Sequence, residues 1–180
     1  MKPIENIATR EKLSQVEALV AEYEAPLLRY AARIVLDSGA AQDVVQNTFI
    51  RMLHGWPGEW KAGADLSSWL YRVAHNCAVD HIRKEARRKL LYLRHAEEQP
   101  EAFPPGGAGE PRVSDEAERA AQALRTLSLR EQQLVILKVY EEKSYKEISA
   151  ITGLTVTNVG YILHQAMKKM AQELQRTKRP

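Results

Sequence analysis

A chain of 180 residues with 44% hydrophobic and 27% charged side chains has room for one domain or two small ones of ordinary soluble composition. Its net charge of +3 and pI near 9.0 permit a nucleic-acid partner without demanding one. The single cysteine, Cys77, excludes an internal disulfide, the first residues (MKPIENIATREK) lack an apolar secretory segment, and no apolar run approaches the roughly eighteen residues of a membrane span. The expectation is a cytoplasmic protein.

The periodic segments repeat at helical spacing, and strand alternation is absent. Ser14 and Glu17 have the spacing of a capping box, opening a helix with Val16, Leu19, Val20 and Tyr23 on one side. Pro26 is expected to kink or restart it before Leu27, Tyr30, Ala31, Ile34 and Val35 continue the stripe. After a break at Asp37-Ser-Gly, the segment AAQDVVQNTFIRMLHGW places Val44, Val45, Thr48, Phe49, Met52 and Leu53 on one buried face. Residues 55–65 (GWPGEWKAGAD) read as a loop carrying two exposed tryptophans, Trp56 and Trp60. Asp65 or Ser67 then caps a long helix starting near Ser68, with Trp69, Leu70, Val73, Ala74, Cys77, Ala78 and Ile82 inward. Its second half, HIRKEARRKLLYLR, is strongly basic, which suits the helix dipole as well as a phosphate backbone.

Residues 96–113 (AEEQPEAFPPGGAGEPRV) read as a flexible Pro/Gly-rich linker. A coil of that length has an r.m.s. span on the order of 25 Å and a stretched reach of roughly 60 Å. Units so joined could grip sites more than one turn of B-DNA apart, a turn being ~34–36 Å. Beyond it, SDEAE at 114–118 opens a helix to about Leu127. Ser128 and Glu131 form a second capping box before Leu134, Val135, Leu137 and Val139, all expected inward. The last segment, SYKEISAITGLTVTNVGYILHQAMKKM, reads as a helix-turn-helix, the alternative being a helical hairpin buried in a core. Gly153 supplies the left-handed turn, Thr155 is a cap for the second helix, and Thr157, Asn158 and Tyr161 fall where base edges are read. The fold class is therefore all-α, with two small helical domains (10–95 and 114–177) joined by the linker.

Two patterns in this order, DVVQNTFIRML with a Trp loop and WLYRVAHNCAVDHIRKEARR, then LRTLSLREQQLVILKVYEEK and the helix-turn-helix, resemble an extracytoplasmic-function sigma factor of the sigma-70 family over residues 16–173. The resemblance implies a first domain (region 2) that docks on the β′ coiled coil of core RNA polymerase through Asp43, Gln46, Asn47 and Arg51. Residue type alone reads those four as a solvated helix face. It implies −10 promoter contacts from Trp56, Trp60, Lys61, Arg72, His75, Asn76, Arg83, Lys84, Arg87 and Arg88, aromatic platforms plus a basic track being what holds single strands. Trp69, on the inner stripe, is read as core. The second domain (region 4) would read −35 duplex through Thr155, Thr157, Asn158, Tyr161, His164, Lys168 and Lys169 and touch the β flap. Asn158 could bond an adenine edge bidentately and Thr157 a thymine methyl. Gly160, Ile162 and Gln165 stand where this family commonly carries basic residues, a departure that weakens duplex binding; Gly160 also costs the helix about 1 kcal/mol relative to Ala.

Two rival classes remain at this stage. One is a sigma-like mimic that sequesters an anti-sigma factor without promoter activity; an anti-sigma factor is also a candidate partner of the sigma factor itself. The other is a nucleic-acid enzyme. Against the enzyme, His54, His75, His81, His95 and His164 are scattered, and Asp80 and His81 point to different helix faces. No metal-ligand spacing or phosphate-binding glycine loop occurs, and no cofactor is expected.

Overall fold

The computed structural model describes residues 4–96 and 115–176, with side-chain surroundings given for 10–92 and 118–176. Apart from Ala96, the linker at 96–113 lies outside the described residues, as do Ser114 and the last basic residues after Arg176. The described elements are all helices: α1 (Ile4–Val35), α2 (Ser38–Gly55), α3 (Ala64–Ala96), α4 (Asp115–Arg125), α5 (Leu129–Val135), α6 (Tyr145–Thr152) and α7 (Val156–Arg176). A π-helical turn, Ile136–Tyr140, extends α5.

Helix α1 corrects the expectation at Ser14 and excludes a restart at Pro26. It runs unbroken through Ser14, so the Ser14/Glu17 spacing lies in a helix interior and caps nothing. It also continues through Pro26, whose missing N–H would have met the carbonyl of exposed Glu22, where water can substitute. Burial of Leu27, Tyr30, Ala31 and Ile34 on both following turns holds the helix together despite the lost bond. Leu36 closes it in a left-handed conformation (φ 58°), and Asp37 caps α2 by accepting the Ala40 N–H at 2.6 Å. Ser38 and Gly39, expected in the break, belong to α2.

In α2, Val44, Val45, Thr48 and Met52 are buried and Phe49 half-buried, whereas Leu53 is 48% exposed. One residue turns a helix by about 100°, which carries Leu53 off the face that Met52 occupies. Helix α3 starts at Ala64, four residues before the expected start. Asp65 and Ser67 therefore lie inside its first turn, where Asp65 complements the dipole. The cause is tertiary: the Gly63 N–H donates to the Tyr23 hydroxyl of α1 at 3.1 Å, pinning the loop end, and Ser67 N–H already bonds Gly63 O at 2.9 Å.

In the second unit, α5 begins with a capping box at Ser128 and Glu131, as its spacing predicts. Leu134, Val135, Ile136 and Leu137 are buried, but Val139 is 52% exposed. The π-helical turn explains the difference. Glu141 N–H reaches back to Ile136 O at 3.1 Å, and the extra residue rotates Val139 outward and Tyr140 toward α1.

α1, α2 and α3 pack on one another, as do α4, α5 and α7 with α6. The second unit then docks on the first: α6 lies against α3, and α5 with its π-helical turn lies against α1. Buried apolar residues run from one unit into the other as one continuous cluster.

Candidate nucleic-acid interface

Asp43, Gln46, Asn47 and Arg51 are all exposed on the outer face of α2, opposite the buried side. Asn47 donates to the Asp43 carbonyl at 2.8 Å, a bond within the helix that leaves the side chains at the surface. Between α2 and α3 a shallow recess of about 240 Å³ is lined by Asp43, Asn47, Arg51, Cys77, Asp80 and Lys84. Burial pushes the Cys77 thiol above its ordinary pKa, so it stays protonated and unreactive.

The loop 56–63 encloses a cleft of about 540 Å³ lined by Trp56, Gly58, Glu59, Lys61, Gly63 and Asp65. Both loop tryptophans are half-buried, which corrects the expectation that they are exposed. Trp56 packs edge-on against Trp69 with centroids 5.6 Å apart, and its Nε1–H donates to Glu59 O at 3.0 Å. Gly58 permits that fold-back: a Cβ there would lie 2.8 Å from the indole Cε2. The Lys12 ammonium lies 5.3 Å from the Trp60 ring centroid. Lys61 pairs with Glu59, and both side chains are about three-quarters exposed. Such a pair contributes little, so a phosphate can compete for the lysine.

Along α3 the candidate contacts divide. Asn76, Arg83, Lys84, Arg87 and Arg88 are exposed, with Arg88 3.2 Å from Glu85 and Arg83 4.0 Å from Asp80 in solvent-screened pairs. Arg72 instead reaches the second unit: its Nε donates to Ile151 O at 3.2 Å and its Nη2 to Ala150 O. His75 is half-buried, with Nδ1 3.1 Å from the Tyr30 hydroxyl. Burial, with the Arg130 charge nearby, lowers its pKa to about 4. At neutral pH it carries no charge for a phosphate, and in this arrangement it faces the interior. Trp69 is half-buried beside Trp56, in keeping with its assignment to the inner stripe.

The helix-turn-helix is built by local bonds. Ser144 and Glu147 form a further capping box at the start of α6, which the S-x-x-E spacing signals in the sequence. Gly153 sits in the left-handed region (φ 72°) and its N–H bonds Ser149 O at 2.9 Å. Thr155 caps α7, accepting the Asn158 N–H at 3.2 Å. Ile148, Ile151, Val159 and Leu163 are buried where the two helices meet, while Thr155, Thr157, Asn158, Tyr161, His164 and Lys168 are exposed. Thr157, Tyr161, His164 and Lys168 follow at steps of four, three and four, which aligns them on one face. Lys169 leaves that row and pairs with Glu131 of α5 at 2.6 Å. That lysine, with the Ser128 cap, holds the Glu131 carboxyl below the usual range. The Tyr145 ring lies over α7 at Gly160, where a Cβ would make ordinary contact, 3.4 Å from Tyr145 Cε2.

Residues 19–88 match the family model of Sigma-70 region 2, and residues 117–170 match that of Sigma-70, region 4. The chain is 30% identical to the RNA polymerase sigma-E factor of Streptomyces avermitilis, over 89% of this chain and 86% of that protein. It belongs to the sigma-70 family, in the extracytoplasmic-function class.

Other relatives of this sigma factor include the ECF RNA polymerase sigma factor SigL of Mycobacterium tuberculosis, 27% identical over 93% of each protein. The RNA polymerase sigma factor YlaC of Bacillus subtilis is 24% identical over 91% of this chain and 94% of that protein. In fold it is similar to the sigma factor RpoE of Bartonella quintana, solved with the anti-sigma factor NepR (TM-score 0.65, 21% identity, 91% of this chain and 98% of that one). It is similar also to CnrH solved with the cytosolic domain of CnrY (TM-score 0.63, 22% identity, 89% and 88%). Sigma factors are transcription regulators. Among the described residues no group of three or more His, Cys, Asp or Glu could hold a metal ion, and no helix is long and apolar enough to cross a membrane.

The residues that join the two units besides Arg72, namely Tyr71 with Glu141 and Arg33 with Tyr140, are not legible as a site in the sequence. Tyr71 and Glu141 are 70 positions apart, and no local spacing links them.

Proposed function

We propose that this sigma factor directs core RNA polymerase to alternative promoters from the cytoplasm, its first unit melting and holding the −10 element while its second reads the −35 duplex. The observation that carries this reading is the exposed row Thr157, Tyr161, His164 and Lys168 on α7, in a chain that also carries region 2 with a cleft bordered by Trp56 and Lys61. α7 would serve as the recognition helix, its N-terminal residues meeting base edges.

In the −10 unit, Trp56 and Lys61 would border the cleft that receives an unstacked base, Trp60 on the same loop would offer a second aromatic outside the cleft lining, and Asn76, Arg83, Lys84, Arg87 and Arg88 would track the strand. Extruding a base costs a few kcal/mol, and stacking on an aromatic returns ~1–3 kcal/mol per base. Strand separation is thus driven by binding, with no chemistry on this chain. Asp43, Gln46, Asn47 and Arg51 on α2 would meet the β′ coiled coil and the second unit the β flap, with residues 96–113 as the connection between domains.

Run-off transcription from matched promoters, with purified core polymerase and this protein, tests the reading. Promoter-specific transcripts are expected. Failure to form a complex with core overturns it, and binding to core without initiation favours a mimic.

A further inference from the structure

Helix α1 holds the loop 56–63 at two points, and the two differ in kind. At the end of the loop, the Gly63 N–H is fixed to the Tyr23 hydroxyl. At Trp60 the hold is the Lys12 ammonium, 5.3 Å from the ring centroid. Both come from one row of α1, since Lys12, Val16, Leu19 and Tyr23 follow at steps of four, three and four. Leu19 and Tyr23 are buried and Val16 is half-buried, so the row faces the core until it reaches exposed Lys12. A lysine at that place lays its stem on apolar neighbours and leaves its charge at the rim.

Charge and ring are both weakly committed. Among the described residues Lys12 has no carboxylate partner, whereas Lys61, beside Trp60 in the chain, pairs with Glu59. Trp60 packs against the core, keeps part of its surface in solvent, and stands outside the lining of the cleft that Trp56 and Lys61 border. A cation over an exposed ring is worth only about two- to fivefold in an equilibrium. A base stacked on an aromatic is worth roughly five- to a hundredfold, and an ammonium gains a charge-assisted bond from a phosphate. A nucleotide brings base and phosphate together, so moving Lys12 from ring to phosphate favours the bound strand.

We infer that Lys12 and Trp60 form a second nucleotide subsite beside the cleft, in which Lys12 leaves the indole for a phosphate and the uncovered ring takes a base. The inference rests on the sigma-factor reading for the presence of a single strand. It adds a residue of α1 to a surface otherwise made by the loop and α3.

The test uses the full chain assembled with core polymerase. The probe is a short fluorescein-labelled single strand with the non-template sequence of a matched promoter, its binding followed by anisotropy across a salt series. Lys12→Ala is expected to weaken binding roughly tenfold at low salt, the size of a lost bond to a charged group. It should also lower the salt slope by about 0.7, the single-strand value for one phosphate. Lys12→Arg should keep both affinity and slope. Lys12→Met keeps an apolar stem over the ring without the charge, and should behave as Lys12→Ala; a Met variant that binds as wild type means that Lys12 only packs, and overturns the inference. Arg10→Ala, exposed about half a turn away round α1, should leave the slope unchanged. An equal drop there would mark a general field with no contact at Lys12, and also overturns it. Trp60→Leu should cost roughly five- to a hundredfold with the slope kept; wild-type affinity in that variant overturns the stacking half. Circular dichroism checks that each variant retains its helices, and the Lys12 variants, at an exposed site, decide the case if Trp60→Leu does not fold. If the wild-type protein fails to bind core, or the complex ignores the strand, the sigma-factor reading falls and this inference with it. A wild-type complex that binds the strand no better than Lys12→Ala, with the same slope, overturns this inference alone.

Discussion

The helix-turn-helix and the tryptophan loop are held in place by different means. From residue 144 to 158 each cap and turn is fixed by a partner five or fewer positions away: Glu147 with Ser144, Gly153 with Ser149, Leu154 O with Ser149, Asn158 with Thr155. The loop 56–63 relies on distant partners, with Tyr23 binding Gly63, Lys12 against Trp60 and Trp69 against Trp56. A DNA reader made of local bonds keeps its shape wherever its domain goes. The tryptophan-loop cleft, proposed to hold a DNA strand and made of tertiary contacts, depends on the intact three-helix unit.

Substitutions can break that contrast. Ile148→Ala, at a fully buried site between α6 and α7, should cost about 2–5 kcal/mol of stability by urea denaturation, because the cavity cannot refill. A loss confined to the loop unit would contradict the packing described. Gly153→Val forces a β-branched residue into the left-handed region and should cost roughly 1–3 kcal/mol. Gel-shift measurements on −35 duplex should weaken in parallel, while single-strand binding by the loop is unchanged. Tyr23→Phe removes the anchor at Gly63 for about 0.5–1.5 kcal/mol. Its signature is altered tryptophan fluorescence with duplex binding intact; altered duplex binding alone would reverse the assignment.

Two smaller changes sharpen the picture on α7. Gly160→Ala should raise the melting temperature, gaining up to about 1 kcal/mol of helix propensity, since a Cβ makes only ordinary contact with Tyr145. A drop would mean that Tyr145 cannot yield at all. Lys168→Ala should lower the salt slope of duplex binding by about one. Lys169→Ala should leave that slope alone and slightly lower stability through Glu131. Equal slopes for the two variants would return Lys169 to the DNA face.

Much of the recognition helix was legible because its signals are short-range: a glycine where φ must be positive, a threonine one residue before a helix, apolar residues at helical spacing. The tryptophan loop was legible as composition but not as shape, since no rule of spacing connects Gly63 to Tyr23. The same limit accounts for the misread ends of α1 and α3. Ser14 has a capping pattern, yet the helix extends past it, and Asp65 caps nothing because Gly63 is already fixed from outside. Val139 carried an inward-facing pattern that the π-helical turn rotated away.

The sequence by itself determined the all-helical class, the caps at Ser128 and Thr155, the turn at Gly153 and the family to which the chain belongs. Each follows from backbone conformational preference or from side-chain order along the chain. Only the tertiary structure decided that Arg72 binds the end of α6, that His75 is neutral and half-buried, that Lys169 serves Glu131, and that Tyr71 meets Glu141. Those outcomes depend on which surfaces desolvate together, and that is set by how whole helices pack.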